Sequence, residues 1–260
     1  MMKGAKHMAL FSKVGAREEF PLGPEIDSIS IQGFNGGIVW LPEDGGEPRI
    51  VAEKEVRGLS LGGLEQILAD LKIERDVSDG KIALRSVSPV KGFGINAQVS
   101  FTVYASPDRI RAFQGTTSNG VISVEAASRG KLDLRTSNGR IMLNSGQGEV
   151  QARTSNGRIE FGSLALEGRS SLRTSNGRIT GQVKFAPDGR YTFETSNGNI
   201  ELRIPQDSPG SFQARTSNGH IKFEVGETQL NGRKEAVLQR SDNPEVLLST
   251  SNGNINVIGY

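Results

Sequence analysis

The tetrapeptide Thr-Ser-Asn-Gly occurs seven times in this chain, ending at Gly120, Gly139, Gly157, Gly177, Gly198, Gly219 and Gly253. Successive copies lie 19, 18, 20, 21, 21 and 34 residues apart, which marks a unit of about 20 residues with one long interval. A fixed period of this size signals stacked units, none of which buries its apolar face alone. The flanks repeat as well. Apolar residues alternate before the tetrapeptide, as in Leu132/Leu134, Tyr191/Phe193 and Val246/Leu248. They alternate again after it, as in Ile122/Val124, Ile141/Leu143, Ile159/Phe161, Ile200/Leu202, Ile221/Phe223 and Ile255/Val257. A period of two is the strand signature. Each unit therefore reads as strand, Ser-Asn-Gly corner, strand and looser turn.

Two arrangements accommodate such a unit. A meander of hairpins would use Asn-Gly as a tight turn. A parallel solenoid would stack one coil per repeat, so that each side chain sits above its own copy at about 4.8 Å. Recurrence of Thr, Ser and Asn together favours the solenoid, because a stacked Asn gains from an identical neighbour. Strand parity turns Thr136, Thr154, Thr174, Thr195 and Thr216 inward, to begin a polar inner corner. Asn119, Asn138, Asn156, Asn176, Asn197, Asn218 and Asn252 are expected to continue it as a ladder. An inward Thr argues against a flat ice-binding row. The corner glycines are expected to supply a positive-φ bend. Glycine numbers 33 in 260 residues, well above the usual ~7%, and without matching proline this indicates turns rather than a linker.

Three segments follow: a flexible leader over 1–25, an irregular β-rich part over 26–110, and regular repeats over 111–260. In the middle segment Phe34-Asn35-Gly36 and Val77-Ser78-Asp79-Gly80 both resemble corners, the second more closely. Leu64, Ile67, Leu68 and Leu71 fall at helical spacing, so a helix is expected near 61–73 with Ser60 as its cap. Residues 97–104 read as a strand. This irregular part is a natural cap for one end of the stack. Thr250 to Tyr260 is a last repeat, and the interval before it is expected to form a long loop. If that loop leaves the last coil open, self-association through the C-terminal coil follows.

No stretch approaches the ~18 apolar residues of a membrane span, and the short apolar run at Met8–Phe11 is too brief for a signal core. On that ground alone the chain is expected in the cytoplasm. Cysteine is absent, which removes disulfides and thiolate chemistry.

The Thr-Ser-Asn-Gly-x-Ile unit, preceded by strand, helix and the strand Phe101-Thr102-Val103-Tyr104-Ala105-Ser106-Pro107, resembles the bacterial putative-adhesin β-strand-repeat family. The likeness spans about 26–260. It implies an all-β, right-handed parallel β-helix with a capped N-terminal end, no known catalytic residues and an envelope association.

Chemistry is sparse. The two histidines are His7, in the leader, and His220, in the outward slot after Gly219, so neither zinc nor Ser-His-Asp chemistry is expected. Asp133, Glu160 and Glu201 fall in different columns or two coils apart, which argues against a paired-carboxylate glycosidase. A 20-residue period with Asn at the corner also differs from calcium-binding nonapeptide rolls. No cofactor or metal is implied.

Charge is nearly balanced, with a net +2, so a basic surface must come from local arrangement. Arg135, Arg153 and Arg173 precede the corner Thr, and Arg140, Arg158 and Arg178 follow the corner Gly. Stacked like charges ask for counter-charges or an anionic ligand. One reading is a groove for an acidic glycan, teichoic acid or lipid headgroups; the other is a solvated face copied along with the repeat. Nucleic acid is disfavoured, since few aromatics interleave. The functional expectation is a non-catalytic adhesin-like scaffold. A self-assembling polymer and a polysaccharide-active enzyme stand as alternatives.

Overall fold

The computed structural model describes residues 12–58, 63–88 and 95–260. Each corner passes the chain from one sheet to the other, so one coil contributes one strand to each. Coils are named below by their corner glycine. In the Gly157 coil, Val150–Thr154 enters the corner and Ile159–Leu166 leaves it. Every pairing between neighbouring coils is parallel, with Thr136 beside Thr154 and Ile141 beside Ile159, and the register slips once, between Phe161 and Ser163. That excludes the meander of hairpins.

Period-two alternation sends one face of every strand into the space between the sheets. Ile122, Ile141, Ile159, Ile179, Ile200, Ile255 and Ile221 form one continuous buried row, each no more than 1% exposed. Each such side chain contributes about 1.5–3 kcal/mol by leaving water. Aromatic pairs fill the wider places: Trp40 lies 5.1 Å from Phe113, and Phe185 lies 4.8 Å from Tyr191.

Spatial order departs from chain order at both ends. Ser28–Gln32 and Ile38–Leu41 form a full coil around Asn35-Gly36, stacked directly on the Gly120 coil. Regular stacking thus begins before residue 111. At the other end, the strands of the Gly253 coil, Glu245–Asn252 and Ile255–Gly259, lie between those of the Gly198 and Gly219 coils. The last repeat is therefore not the end of the stack, and both its edges are paired. This corrects the expectation of an open C-terminal coil available for end-on self-association. Two parallel partners per strand outweigh the one that a terminal position offers.

The long interval is not a loop either. Thr228–Gly232 pairs antiparallel with Ile221–Val225, and Glu235–Gln239 pairs antiparallel with Ser211–Arg215. These two strands close both sheets at that end.

The opposite end is closed by Ser12–Pro21, Arg49–Gly58 and Asn96–Tyr104 in one sheet and by the hairpin Lys72–Ser78/Lys81–Val87 in the other. Both sheets are thus mixed, parallel through the coils and antiparallel at the ends. Residues 12–21 were expected in a flexible leader. Instead they pair along ten residues with Arg49–Gly58, where Glu18 meets Lys54 and Phe20 is buried.

Val77-Ser78-Asp79-Gly80 is also not a corner. Asp79 and Gly80 both have positive φ, 49° and 73°, as a tight hairpin turn demands, and the chain folds back within one sheet. The helix is shorter than expected, Leu64–Asp70, and opens at Gly63 without a side-chain cap. Ser60 and His7 lie outside the described residues. Leu64 and Leu71 are buried, and Ile67 and Leu68 pack on the same core.

Candidate binding face

Three residues build each corner. The Thr points inward and is 2–6% exposed in every copy. Its hydroxyl donates to the corner glycine carbonyl of the neighbouring coil: Thr154 to Gly139 at 2.8 Å, Thr174 to Gly157 at 2.7 Å, Thr250 to Gly198 at 2.9 Å and Thr216 to Gly253 at 3.0 Å. This satisfies a carbonyl that the turn leaves out of the sheet ladder.

The glycine is needed for a reason other than the expected positive φ, which none of the seven corner glycines adopts. A Cβ on Gly157 would stand 1.9 Å from the Gly139 carbonyl oxygen, and one on Gly139 would stand 1.8 Å from that of Gly120. Backbone stacks on backbone too closely for any side chain.

The Asn does not continue the inner corner as expected but faces outward and is exposed, because the corner turns the chain between Thr and Asn. Asn138 Nδ2 donates to Asn119 Oδ1 at 2.7 Å, Asn156 to Asn138 at 2.8 Å, Asn176 to Asn156 at 2.8 Å and Asn197 to Asn176 at 2.9 Å. Asn252 then donates to Asn197, and Asn218 to Asn252, both at 2.8 Å. At the other end Asn119 donates to Asn35 at 2.6 Å. Asn35 was not among the residues named for the ladder, although Asn35-Gly36-Gly37-Ile38 carries its pattern. The amides run head to tail without a break along the rod.

The arginines flank this ladder on different sheets and line two separate depressions. Arg135, Arg153 and Arg173 stand side by side before the corner. With Asp133, Gln151 and Ser171 they line a hollow of about 700 Å³. Arg135 is held by Asp133 at 2.9 Å, and Arg173 reaches Ser171 at 2.9 Å and Glu194 at 3.5 Å. Arg153, between them, has no acidic or hydrogen-bonding partner among the described residues.

Arg140, Arg158 and Arg178 line a second, more open hollow of about 810 Å³ with the Asn ladder. Arg158 and Arg178 share Glu160, at 2.8 and 3.0 Å, and Arg140 has no acidic partner among the described residues. Each column therefore presents one uncompensated guanidinium. The structure does not bring all six into a single groove.

The remaining candidates scatter. His220 is exposed at the far end of the second column, where its backbone N–H donates to Asn254 Oδ1 at 2.9 Å. Glu160 and Glu201 share one outward column with Thr180 between them, and Asp133 lies on the other sheet. One Asp133 oxygen is buried without a hydrogen-bond partner. Among the described residues no group of three or more His, Asp or Glu is placed to hold a metal ion, and no helix is long and apolar enough to cross a membrane.

Stacked coils held by Thr, Asn and Gly ladders define a solenoid-like all-β repeat protein. Within that class the chain belongs to the Toastrack family DUF4097, whose model matches residues 67–258. No curated protein matches the sequence. Among solved structures it is similar to a putative adhesin from Bacteroides fragilis NCTC 9343, 11% identical, TM-score 0.43, covering 96% of this chain and 98% of that one. A putative adhesin from Parabacteroides merdae ATCC 43184 is 10% identical, TM-score 0.40, with coverages of 94% and 96%. A protein named as putative lipid binding, from Parabacteroides distasonis ATCC 8503, is 12% identical, TM-score 0.37, with the same coverages.

Proposed function

We propose that this chain is a non-catalytic, adhesin-like scaffold, a rod wound right-handed through its regular coils, that binds an anionic partner of the cell envelope along its arginine columns. The observation that carries the reading is Arg153. It stands in a hollow between two arginines whose charges Asp133 and Glu194 offset, and its own charge is left open. Arg140 repeats the situation across the ladder. A planar guanidinium with free donors suits a carboxylate, sulfate or phosphate group. An acidic glycan supplies such groups at intervals, so two weak contacts on one rigid rod reinforce each other.

The non-catalytic part of the reading rests on the carboxylates. Glu160 is engaged by two guanidinium groups, and Asp133 is on the opposite sheet from Glu160 and Glu201.

The test is a panel of uronic-acid, sulfated and neutral glycans, assayed for binding and for turnover at low and high salt. Salt-sensitive binding of acidic members without cleavage is the expected result. Arg153→Glu with Arg140→Glu should weaken it at least tenfold, and Arg158→Glu should do less because Glu160 already holds that charge. Cleavage of any glycan, or binding indifferent to Arg153 and Arg140, overturns the reading.

A further inference from the structure

The walls of one slot in the stack come from residues that precede its contents in the chain. The Gly198 and Gly219 coils form the walls, and the Gly253 coil, which follows both in sequence, lies between them. The occupant is recognised by every ladder at once. Thr250 donates to the Gly198 carbonyl, Asn252 donates to Asn197 and accepts from Asn218, and Thr216 donates to the Gly253 carbonyl. Gly253 sits where a Cβ would be 1.9 Å from the Gly198 carbonyl oxygen, so only glycine enters.

A charge contact at the rim adds selectivity. Arg190, in the Gly198 wall, grips Glu245 at 2.9 and 3.2 Å. The neighbour of Arg190 on its other side is Arg169. The slot thus asks for an extended strand that begins with an acid and reaches Thr-x-Asn-Gly-x-Ile in register.

The walls also match each other. Thr195, Thr250 and Thr216 share one row, and Asn197, Asn252 and Asn218 share another. When the occupant leaves, Asn218 and Thr216 face Asn197 and the Gly198 carbonyl in the same register. An emptied slot can close on itself, which keeps the open form from exposing two unpaired coils.

We propose that this slot is a strand-binding site whose second occupant is the Gly253 coil of another copy of this chain, so that two chains exchange that coil. Exchange needs no free edge, unlike end-on stacking, and each dimer half keeps all the contacts of the monomer. Low cost at equal contacts is what makes swapping of an identical element accessible. Residues 240–244, between the closing strand Glu235–Gln239 and the Gly253 coil, supply the connector that would cross between chains.

The chain has no cysteine, so cross-linking reads the exchange cleanly. Gln213 and Leu247 are register partners on adjacent parallel strands, within the Cα spacing a disulfide accepts. Full-length protein concentrated, warmed below its melting range and cooled should give a dimer fraction in sedimentation that rises with concentration. The Gln213→Cys/Leu247→Cys double variant, oxidised while dilute and monomeric, should lose that dimer and regain it on reduction. Unchanged circular dichroism and melting of the oxidised form separate a lock from a misfold. Mixing a Gln213→Cys chain with a Leu247→Cys chain should yield a disulfide-linked heterodimer, while a Ser171→Cys chain in place of the first should not. Monomer at every concentration, or a dimer that survives the oxidised lock, overturns the proposal.

Discussion

The two edges of each coil solve the same problem in different ways. At the corner edge every turn meets a copy of itself: Thr meets a glycine carbonyl, Asn meets Asn, and glycine backbone lies on glycine backbone. At the opposite edge the turns differ in length and in device. Gly130 and Gly148 stack at φ of 141° and 128°, and a Cβ on Gly148 would meet the Gly130 carbonyl oxygen at 2.1 Å. One unit further on, Gly168 has φ 56° and an open surrounding, with the nearest atom to an added Cβ at 4.0 Å. Next to it Tyr191 closes the turn from inside, its hydroxyl donating to the Leu166 carbonyl at 2.8 Å and also approaching that of Ala186 at 3.0 Å. Sequence identity is imposed where a residue's partner is its own copy. Where the partner is a different residue, each turn is free to find a local answer.

The largest expected effect breaks the glycine half of this comparison. Gly157→Ala pushes a methyl into the neighbouring corner carbonyl and should cost about 3 kcal/mol or more, at the upper end of overpacking costs, read as a fall in the denaturant midpoint. Gly168→Ala meets no neighbour and should cost only about 1–2 kcal/mol, the strain of a left-handed backbone. Equal costs would mean that close stacking at the corner matters less than backbone conformation.

The next test sets the two hydroxyl devices against each other. Thr154→Val keeps the shape and leaves the Gly139 carbonyl unpaired; Tyr191→Phe removes one of two donors to the Leu166 carbonyl, which keeps the Ala186 N–H at 2.9 Å. The first should cost about 1–3 kcal/mol and the second about 0.5–1.5 kcal/mol at neutral pH. Only the tyrosine carries a pH signature. Burial, reinforced by Glu167 and Asp188, raises its pKa above the ordinary value, against a smaller opposing effect of the Ala186 hydrogen bond. Its neutral form is thus favoured by the fold. The contribution is intact below the unfolded value near ~10 and is lost as pH rises through the folded one. Wild type should lose stability across that window more steeply than Tyr191→Phe, and parallel curves would contradict the burial of the hydroxyl.

The smallest effect concerns the outward face. Arg153→Gln removes a charge that has like neighbours and no acidic partner, and should leave stability within about 0.5 kcal/mol of wild type, on the stabilising side at low salt. A clear loss of stability would assign Arg153 to holding the rod rather than to a ligand.

Much of the corner was legible in the residues. Parity placed Thr inward and self-stacking placed an Asn ladder at the corner, but on its inner side rather than the outer one it occupies, since strand parity does not carry through a turn. The arginine columns were legible as columns. Their division into two hollows was not, because the sequence places them five residues apart without saying that the corner turns them onto different sheets. Nor did it show that Glu160 would offset two arginines and leave Arg140 and Arg153 open, since the Arg178 contact to Glu160 runs between coils.

The seven copies by themselves determined the coil, the inward and outward residues of its strands and the ladders that join neighbours. Tertiary structure alone decided which coils are neighbours. Coils with the same Thr, Asn, Gly and Ile in the same places present the same contacts, so local sequence does not distinguish the Gly198 coil stacked on Gly219 from the Gly198 coil stacked on Gly253. Connector length, the antiparallel strands at each end and single contacts such as Arg190 with Glu245 make that choice. The same degeneracy explains why Val77-Ser78-Asp79-Gly80 reads as a corner yet folds as a hairpin: its corner-like pattern is local, while the neighbouring coil that would hold a corner in place is absent at its edge.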